Sequence, residues 1–223
     1  MLETIELETA PNPKSSVIWM HGLGADGNDF VPVVDELDLS SVGGVRFVFP
    51  HAPMMPVTIN NGYVMRAWYD VSMGDLETGA KRIDENGVRV SQARINELIE
   101  REFSRGIAHE RIVLAGFSQG GAIALQTGLR HPKKLAGVMS LSSYMPCVDS
   151  FAAEASAANK ATPLFIAHGT EDPVVPYERG ATTRDLLQKA GYAVEWRDYA
   201  MPHSVCMEEI RDINAWLARA LRA

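Results

Sequence analysis

The sequence predicts an α/β protein, a mostly parallel central sheet flanked by helices on both faces, and three observations carry that expectation. Short runs rich in Val, Ile, Leu and Phe alternate along the chain with longer stretches of helical period. Several of those short runs are apolar at every position rather than at alternate ones, as strands covered on both faces must be. The 223 residues are 46% hydrophobic and 22% charged, enough apolar material to bury a full core without disulfide or metal staples. No internal repeat and no linker divides the chain, so one domain over residues 1–223 is expected.

In chain order, the strand-like runs are 4–8, 16–20, 46–49, 111–117, 135–142, 163–167 and 193–199. Between them, 89–106 places Val90, Ala93, Ile95, Leu98, Ile99 and Phe103 roughly on one face with charges opposite, which reads as a surface helix. Stretches 118–130, 178–190 and 204–221 have the same character. The last carries Val205, Ile210, Ile213, Trp216 and Leu217 and is expected to close a flank of the sheet. Two regions lack periodicity. One is 50–87, punctuated by Pro50, Pro53, Pro56, Asn60, Asn61, Gly62, Gly74 and Gly79; the other is 144–159. Long irregular segments of this kind commonly carry function.

Charge and cysteine usage exclude several classes of function. A net charge of −7 without any Lys/Arg run opposes nucleic-acid binding, which rests on neutralising phosphates. Cys147 and Cys206 lack the close Cys or His spacing of a zinc site and are expected as two free thiols. Met1 to Ala10 is an acidic alternating stretch rather than a leader, and no segment approaches membrane-spanning length. The expectation is a cytoplasmic protein with no cofactor, no metal and no stable membrane insertion.

The strongest local motif is Gly116-Phe117-Ser118-Gln119-Gly120, preceded by the strand Ile112-Val113-Leu114-Ala115 and followed by the small-residue helix start Gly121-Ala122-Ile123-Ala124. A serine held on a tight strand-to-helix turn is the nucleophile elbow of the α/β-hydrolase fold, in its required context. A serine hydroxyl is a weak nucleophile at neutral pH, so a base within hydrogen-bond reach and a carboxylate to orient it must follow. In this fold the acid comes in the turn after a later strand and the histidine after the last one. Asp172, after the run 163–169 and before Pro173, holds the acid's place, and His203, between the last strand and the terminal helix, holds the base's.

The other histidines have simpler readings. His168 ends a strand and is expected to order the turn that carries Asp172; His109 and His131 adjoin charged helix ends and read as solvated. His21 and His51 precede Ser118 in the chain, so neither fits as the base, although both follow strands at the sheet edge where the cleft would lie. As alternative acids, Asp149 and Asp198 rank below Asp172 because one lies in a polar loop and the other within a strand.

The stretch from His21 to Phe30 is glycine-rich and follows the strand 16–20. Its backbone N–H groups can point at a ligand. One oxyanion donor is expected from Gln119, the residue after the nucleophile, and the other from Leu23 in this loop. Gly22, Gly24 and Gly27 also match the spacing of a dinucleotide loop, but no acidic residue ends the next strand at 46–51, so that reading fails.

Taken together, His21-Gly22-Leu23-Gly24, Ala67-Trp68-Tyr69-Asp70, Gly116 to Gly121, His168 to Pro176 and Met201-Pro202-His203 resemble the carboxylesterase, lysophospholipase and acyl-protein thioesterase family. The resemblance spans nearly the whole chain in order. It implies a small α/β-hydrolase without a large cap domain, a cofactor-free serine esterase acting on small-molecule esters or acylated substrates, and a homodimer. It also implies that the loop around Trp68 and Tyr69 borders an acyl-binding groove. The residues themselves allow two readings of the cluster Met65, Trp68, Tyr69, Val71 and Met73: a substrate wall, to which Leu23 and Met54 would add, or a strand tucked into the core.

Overall fold

The computed structural model describes residues 1–72 and 83–222, and Met73, Gly74 and Gly79 lie outside the described residues. Seven strands form one sheet: β1 (Thr4–Glu8), β2 (Ser15–Met20), β3 (Val45–Pro50), β6 (Ile112–Phe117), β7 (Gly137–Leu141), β8 (Leu164–Gly169) and β9 (Val194–Tyr199). Their order is β1-β3-β2-β6-β7-β8-β9. β1 pairs antiparallel with β3, and every other pairing in this sheet is parallel. The seven runs read from the sequence are these seven strands, with ends displaced by a residue or two.

Parallel neighbours require crossovers, and the helices supply them. The described α-helices are α1 (Glu85–Ser104), α2 (Gln119–Gly128), α3 (Val148–Glu154), α4 (Tyr177–Lys189) and α5 (Met207–Ala220). Strand alternation divides each central strand between two cores. Ile18, Met20, Ile112 and Leu114 face the cluster built with α1, α2 and α4, including Ile95, Leu98, Ile99, Ile123 and Leu187. Val17, Trp19, Val113 and Ala115 face the cluster that holds Phe30, Leu39, Ile213, Trp216 and Leu217. Both faces of the sheet are therefore dry, which is why the central runs read as continuously apolar. Among the described residues no large cap covers the sheet.

Two details differ from the sequence reading. On α1 the buried face is Val88, Ser91, Ile95, Leu98, Ile99 and Glu102, while Val90 and Phe103 are 44% and 51% exposed. The three-to-four residue spacing of the buried set defines the true stripe, and Val90 and Phe103 lie off it. The irregular region 50–87 contains a second, two-stranded sheet, in which β4 (Met54–Val57) pairs antiparallel with β5 (Tyr63–Arg66). Asn61 and Gly62, at φ 55° and 75°, turn the chain between them.

Candidate active site

Ser118 stands between the end of β6 and the start of α2, at φ 53° and ψ −121°. For a residue with a Cβ this left-handed backbone costs roughly 1–3 kcal/mol, so it persists only where its surroundings impose it. They do so here. A Cβ on Gly116 would lie 2.2 Å from the Gly120 carbonyl carbon, so only glycine lets the strand end and helix start approach this closely. The Ser118 N–H donates to the Leu141 carbonyl at 2.8 Å, and the Ser143 hydroxyl donates to the Ser118 carbonyl at 2.6 Å. The side chain is thereby held at the carboxyl edge of the sheet beside the end of β7.

Two loops at the same edge bring Asp172 and His203 to it. Asp172 follows β8 and His203 follows β9, and these strands are neighbours in parallel register. The loops are tied directly: Thr170 N–H donates to Tyr199 O at 2.8 Å and Glu171 N–H to Met201 O at 3.2 Å. His203 Nε2 lies 2.9 Å from Ser118 Oγ, and His203 Nδ1 lies 2.6 Å from Asp172 Oδ2. The other carboxylate oxygen, Oδ1, accepts from the N–H groups of Val174 and Val175 at 2.8 and 2.9 Å. Asp172 is 8% exposed and thus holds a fixed orientation without competing water. Beneath it, fully buried His168 meets the Val175 carbonyl through Nε2 at 2.8 Å and lies 3.5 Å from Asp172 Oδ2. Burial lowers the His168 pKa, the main cause, with the Val175 carbonyl acting against it. A neutral His168 ordering the acid's turn is the role its position at the strand end suggested.

The glycine loop after β2 is fixed from below by both of the remaining candidates at that edge. The Ala52 N–H donates to His21 Nε2 at 3.0 Å, which leaves His21 Nδ1 to donate to the Gly22 carbonyl at 2.7 Å. Burial pushes the His21 pKa down to about 4, so it is a neutral strut. His51 Nδ1 accepts from the Gly27 N–H at 3.1 Å. Both histidines shape the loop that carries Leu23.

Gln119 faces two ways. Its side-chain Oε1 accepts from the Trp68 N–H at 2.8 Å and its Nε2 donates to the Tyr69 carbonyl at 2.7 Å. The Trp68 indole N–H reaches the His21 carbonyl at 2.9 Å, and the Ser91 hydroxyl donates to the Trp68 carbonyl. Gln119 and Leu23 both line a cavity of about 220 Å³ at Ser118, with Ile59, Val71, Tyr144, Val174 and Val175 as its apolar walls. A larger cavity of about 350 Å³ between α3 and α4 shares only Tyr144 with it and holds none of the Ser-His-Asp set, so size does not locate the chemistry.

Of the residues offered for the substrate wall, Leu23 and Val71 line this cavity, Met54, Met65, Trp68 and Tyr69 are not among its lining, and Met73 lies outside the described residues. Trp68 and Tyr69 are 1% and 0% exposed and belong to the core, where their backbone and indole groups brace Gln119 and His21. Met65 lies on β5 and Met54 on β4, and Met54 is 58% exposed. Met65 Sδ accepts from Asn60 Nδ2 at 3.3 Å, and Asn60 itself lines the cavity, so Met65 stands behind that wall, while the chain beyond β5 enters the core at Ala67, Trp68 and Tyr69. The walls that sequence reasoning missed are Ile59, Tyr144, Val174 and Val175. The last two follow Asp172 in the chain, and the turn that fixes its carboxylate sets them at the same cavity. His109 and His131 were also misread, since they are 8% and 2% exposed rather than solvated. Cys147 and Cys206 are free, as expected.

A strand-turn-helix serine, an acid and a histidine on successive parallel strands, and a glycine loop at the same sheet edge define an α/β-hydrolase. The chain belongs to the phospholipase/carboxylesterase family, whose profile matches residues 3–221, and so to hydrolases that act on esters. It is 42% identical over 213 residues to an acyl-protein thioesterase 1 from Neurospora crassa, covering 93% of this chain and 87% of that protein. It is 34% identical to carboxylesterase SOBER1 from Arabidopsis thaliana over 210 residues, covering 94% and 92%. Among solved structures it is similar to Arabidopsis thaliana SOBER1, with TM-score 0.83, 33% identity and 93% and 99% of the two chains covered. The Zea mays acyl-protein thioesterase 2 structure gives TM-score 0.85 at 26% identity, covering 99% and 100%. No helix among the described residues is long and apolar enough to cross a membrane.

Proposed function

We propose that this chain is a serine esterase that cleaves carboxylic esters and thioesters of apolar acyl groups through an acyl-enzyme on Ser118. The observation that carries the reading is the hydrogen-bonded series Asp172, His203, Ser118, which ends at a cavity with apolar walls. His203 takes the Ser118 proton as the hydroxyl attacks the acyl carbonyl, and Asp172 stabilises the imidazolium that forms. The backbone N–H groups of Leu23 and Gln119 hold the oxyanion, and the start of α2 adds its dipole. The imidazolium then protonates the departing alcohol or thiol. Water, deprotonated by the same histidine, releases the acid and restores Ser118.

The names of the relatives support thioesters of acylated proteins beside simple esters, with lysophospholipids as the third substrate class of the family resemblance. The free thiols support a reducing, cytoplasmic setting. The homodimer that the resemblance implies is checked by light scattering against the 24.4 kDa chain mass. Rates on aryl esters of graded acyl length, a matched thioester and a peptide amide test the main reading. Ester and thioester turnover that vanishes in Ser118→Ala is the expected result. Esterase activity retained by Ser118→Ala, or faster cleavage of the amide, overturns it.

A further inference from the structure

At the end of α2 opposite Ser118, three side chains converge that the ester chemistry does not use. Glu100 projects from the last turns of α1, His109 lies in the 3-10 turn leading into β6, and His131 follows α2. The ten residues of α2 span about 15 Å between the two ends. One ligand atom from each of the three side chains lies within 4.8 Å of the other two. We infer that Glu100, His109 and His131 form a binding site for a divalent transition-metal ion of the zinc type.

His131 shows the clearest preparation. Its Nδ1 meets the Asn96 side-chain carbonyl at 3.1 Å, so Nδ1 carries the proton and Nε2 presents a lone pair. That Nε2 is buried and has no hydrogen-bond partner among the described residues. A buried acceptor left bare is costly, and buried polar groups are rarely left so without a reason. An outer partner on one ring nitrogen with the other nitrogen free is how metal-binding histidines are oriented. His109 Nε2 lies 3.0 Å from Glu100 Oε1, and the Phe103 ring stacks on His109 at 4.4 Å. The carboxylate supplies the negative charge, the stacked ring restricts the imidazole, and the ion takes the place of the Nε2 proton that now bridges His109 and Glu100, which passes to Nδ1 or to solvent.

Zinc bonds of about 2.0–2.1 Å in a tetrahedron set ligand atoms about 3.4 Å apart, so a modest closure of the three side chains suffices. Two imidazoles and one carboxylate favour Zn²⁺, Co²⁺, Ni²⁺ or Cu²⁺ over Mg²⁺ and Ca²⁺, which prefer all-oxygen sets. Glu100, 59% exposed, opens the fourth position to water. The ion would staple α1, the entry to β6 and the end of α2 at one point, a structural role apart from Ser118.

The test is calorimetric titration of untagged protein with Zn²⁺, repeated with Mg²⁺ and with Glu100→Gln, His131→Ala and Asn96→Ala. One equivalent of Zn²⁺ and no Mg²⁺ binding are expected. Affinity should fall at least about tenfold in Glu100→Gln and His131→Ala, and about 10- to 100-fold in Asn96→Ala through loss of the orienting bond. Glu100 is on the surface, so its variant folds even if His131→Ala does not. The absorption of bound Co²⁺ should show tetrahedral d–d bands in the wild type and lose them in Glu100→Gln. Absence of zinc binding, or equal affinity in wild type and Glu100→Gln, overturns the inference.

Discussion

His203 Nδ1 and Asp172 Oδ2 are 2.6 Å apart, and this contact leaves Nε2 of His203 facing Ser118 Oγ at 2.9 Å. An ionised carboxylate only accepts, so Nδ1 must carry the proton and Nε2 the lone pair. In Asp172→Asn an amide can donate to Nδ1 and select the wrong tautomer while leaving the loop in place. A fall in kcat of about 10⁴-fold with little change in KM is expected from steady-state ester hydrolysis. A variant within tenfold of wild type would remove Asp172 from the account.

Gln119 predicts a separation of backbone from side-chain roles. Gln119→Ala keeps the backbone N–H at the cavity but strips Trp68 N–H and Tyr69 C=O of their partners, at a cost of roughly 1–3 kcal/mol for each buried group left unsatisfied. The midpoint of denaturant unfolding should fall accordingly. Activity should fall less than in Asp172→Asn, since the backbone N–H proposed to hold the oxyanion survives. An unchanged midpoint would show that the amide clamp contributes nothing.

Stability against pH is bounded from both sides by buried groups. His21 stays neutral to about pH 4 in the folded chain but protonates below about 6.5 when unfolded. The unfolded state therefore binds more protons in that window, and stability falls as pH drops from 6.5 towards 4. Glu209, fully buried on α5, has its pKa raised to about 8 by that burial, the Cys206 backbone N–H partly offsetting it. The folded state then holds the extra proton between about 4.5 and 8, and stability falls as pH rises through that range. The two contributions oppose each other between about 4.5 and 6.5, so melting temperatures across pH 4–9 should show the Glu209 fall most clearly between about 6.5 and 8. Glu209→Gln should flatten that alkaline fall and steepen the rise on the acid side; an unchanged alkaline slope contradicts the burial argument.

The sequence carried the seven main strands because apolar runs covered on two faces leave a signal that needs no partner information. It placed Ser118, Asp172 and His203 at one edge of the sheet because the fold ties each to a strand end. The β4–β5 hairpin was hidden by Pro50, Pro53 and Pro56, although Asn61-Gly62 between two apolar stretches is a turn signal that marks it. Trp68 and Tyr69 could be read as a wall or as core because residue type reveals apolarity and not which apolar surface a side chain meets. Their hydrogen bonds to Gln119 and His21 exist only once three distant segments meet. Glu100, His109 and His131 were invisible for the same reason, since no local spacing links residues drawn from α1, a turn and the end of α2.

The central claim is that Ser118 is the nucleophile, and the direct measurement is mass spectrometry of the chain after reaction with a fluorophosphonate. The account predicts one phosphonyl group on the peptide containing Ser118, formed in parallel with loss of esterase activity and absent from Ser118→Ala. Loss of activity with the label on another residue, or full activity with Ser118 labelled, would contradict it.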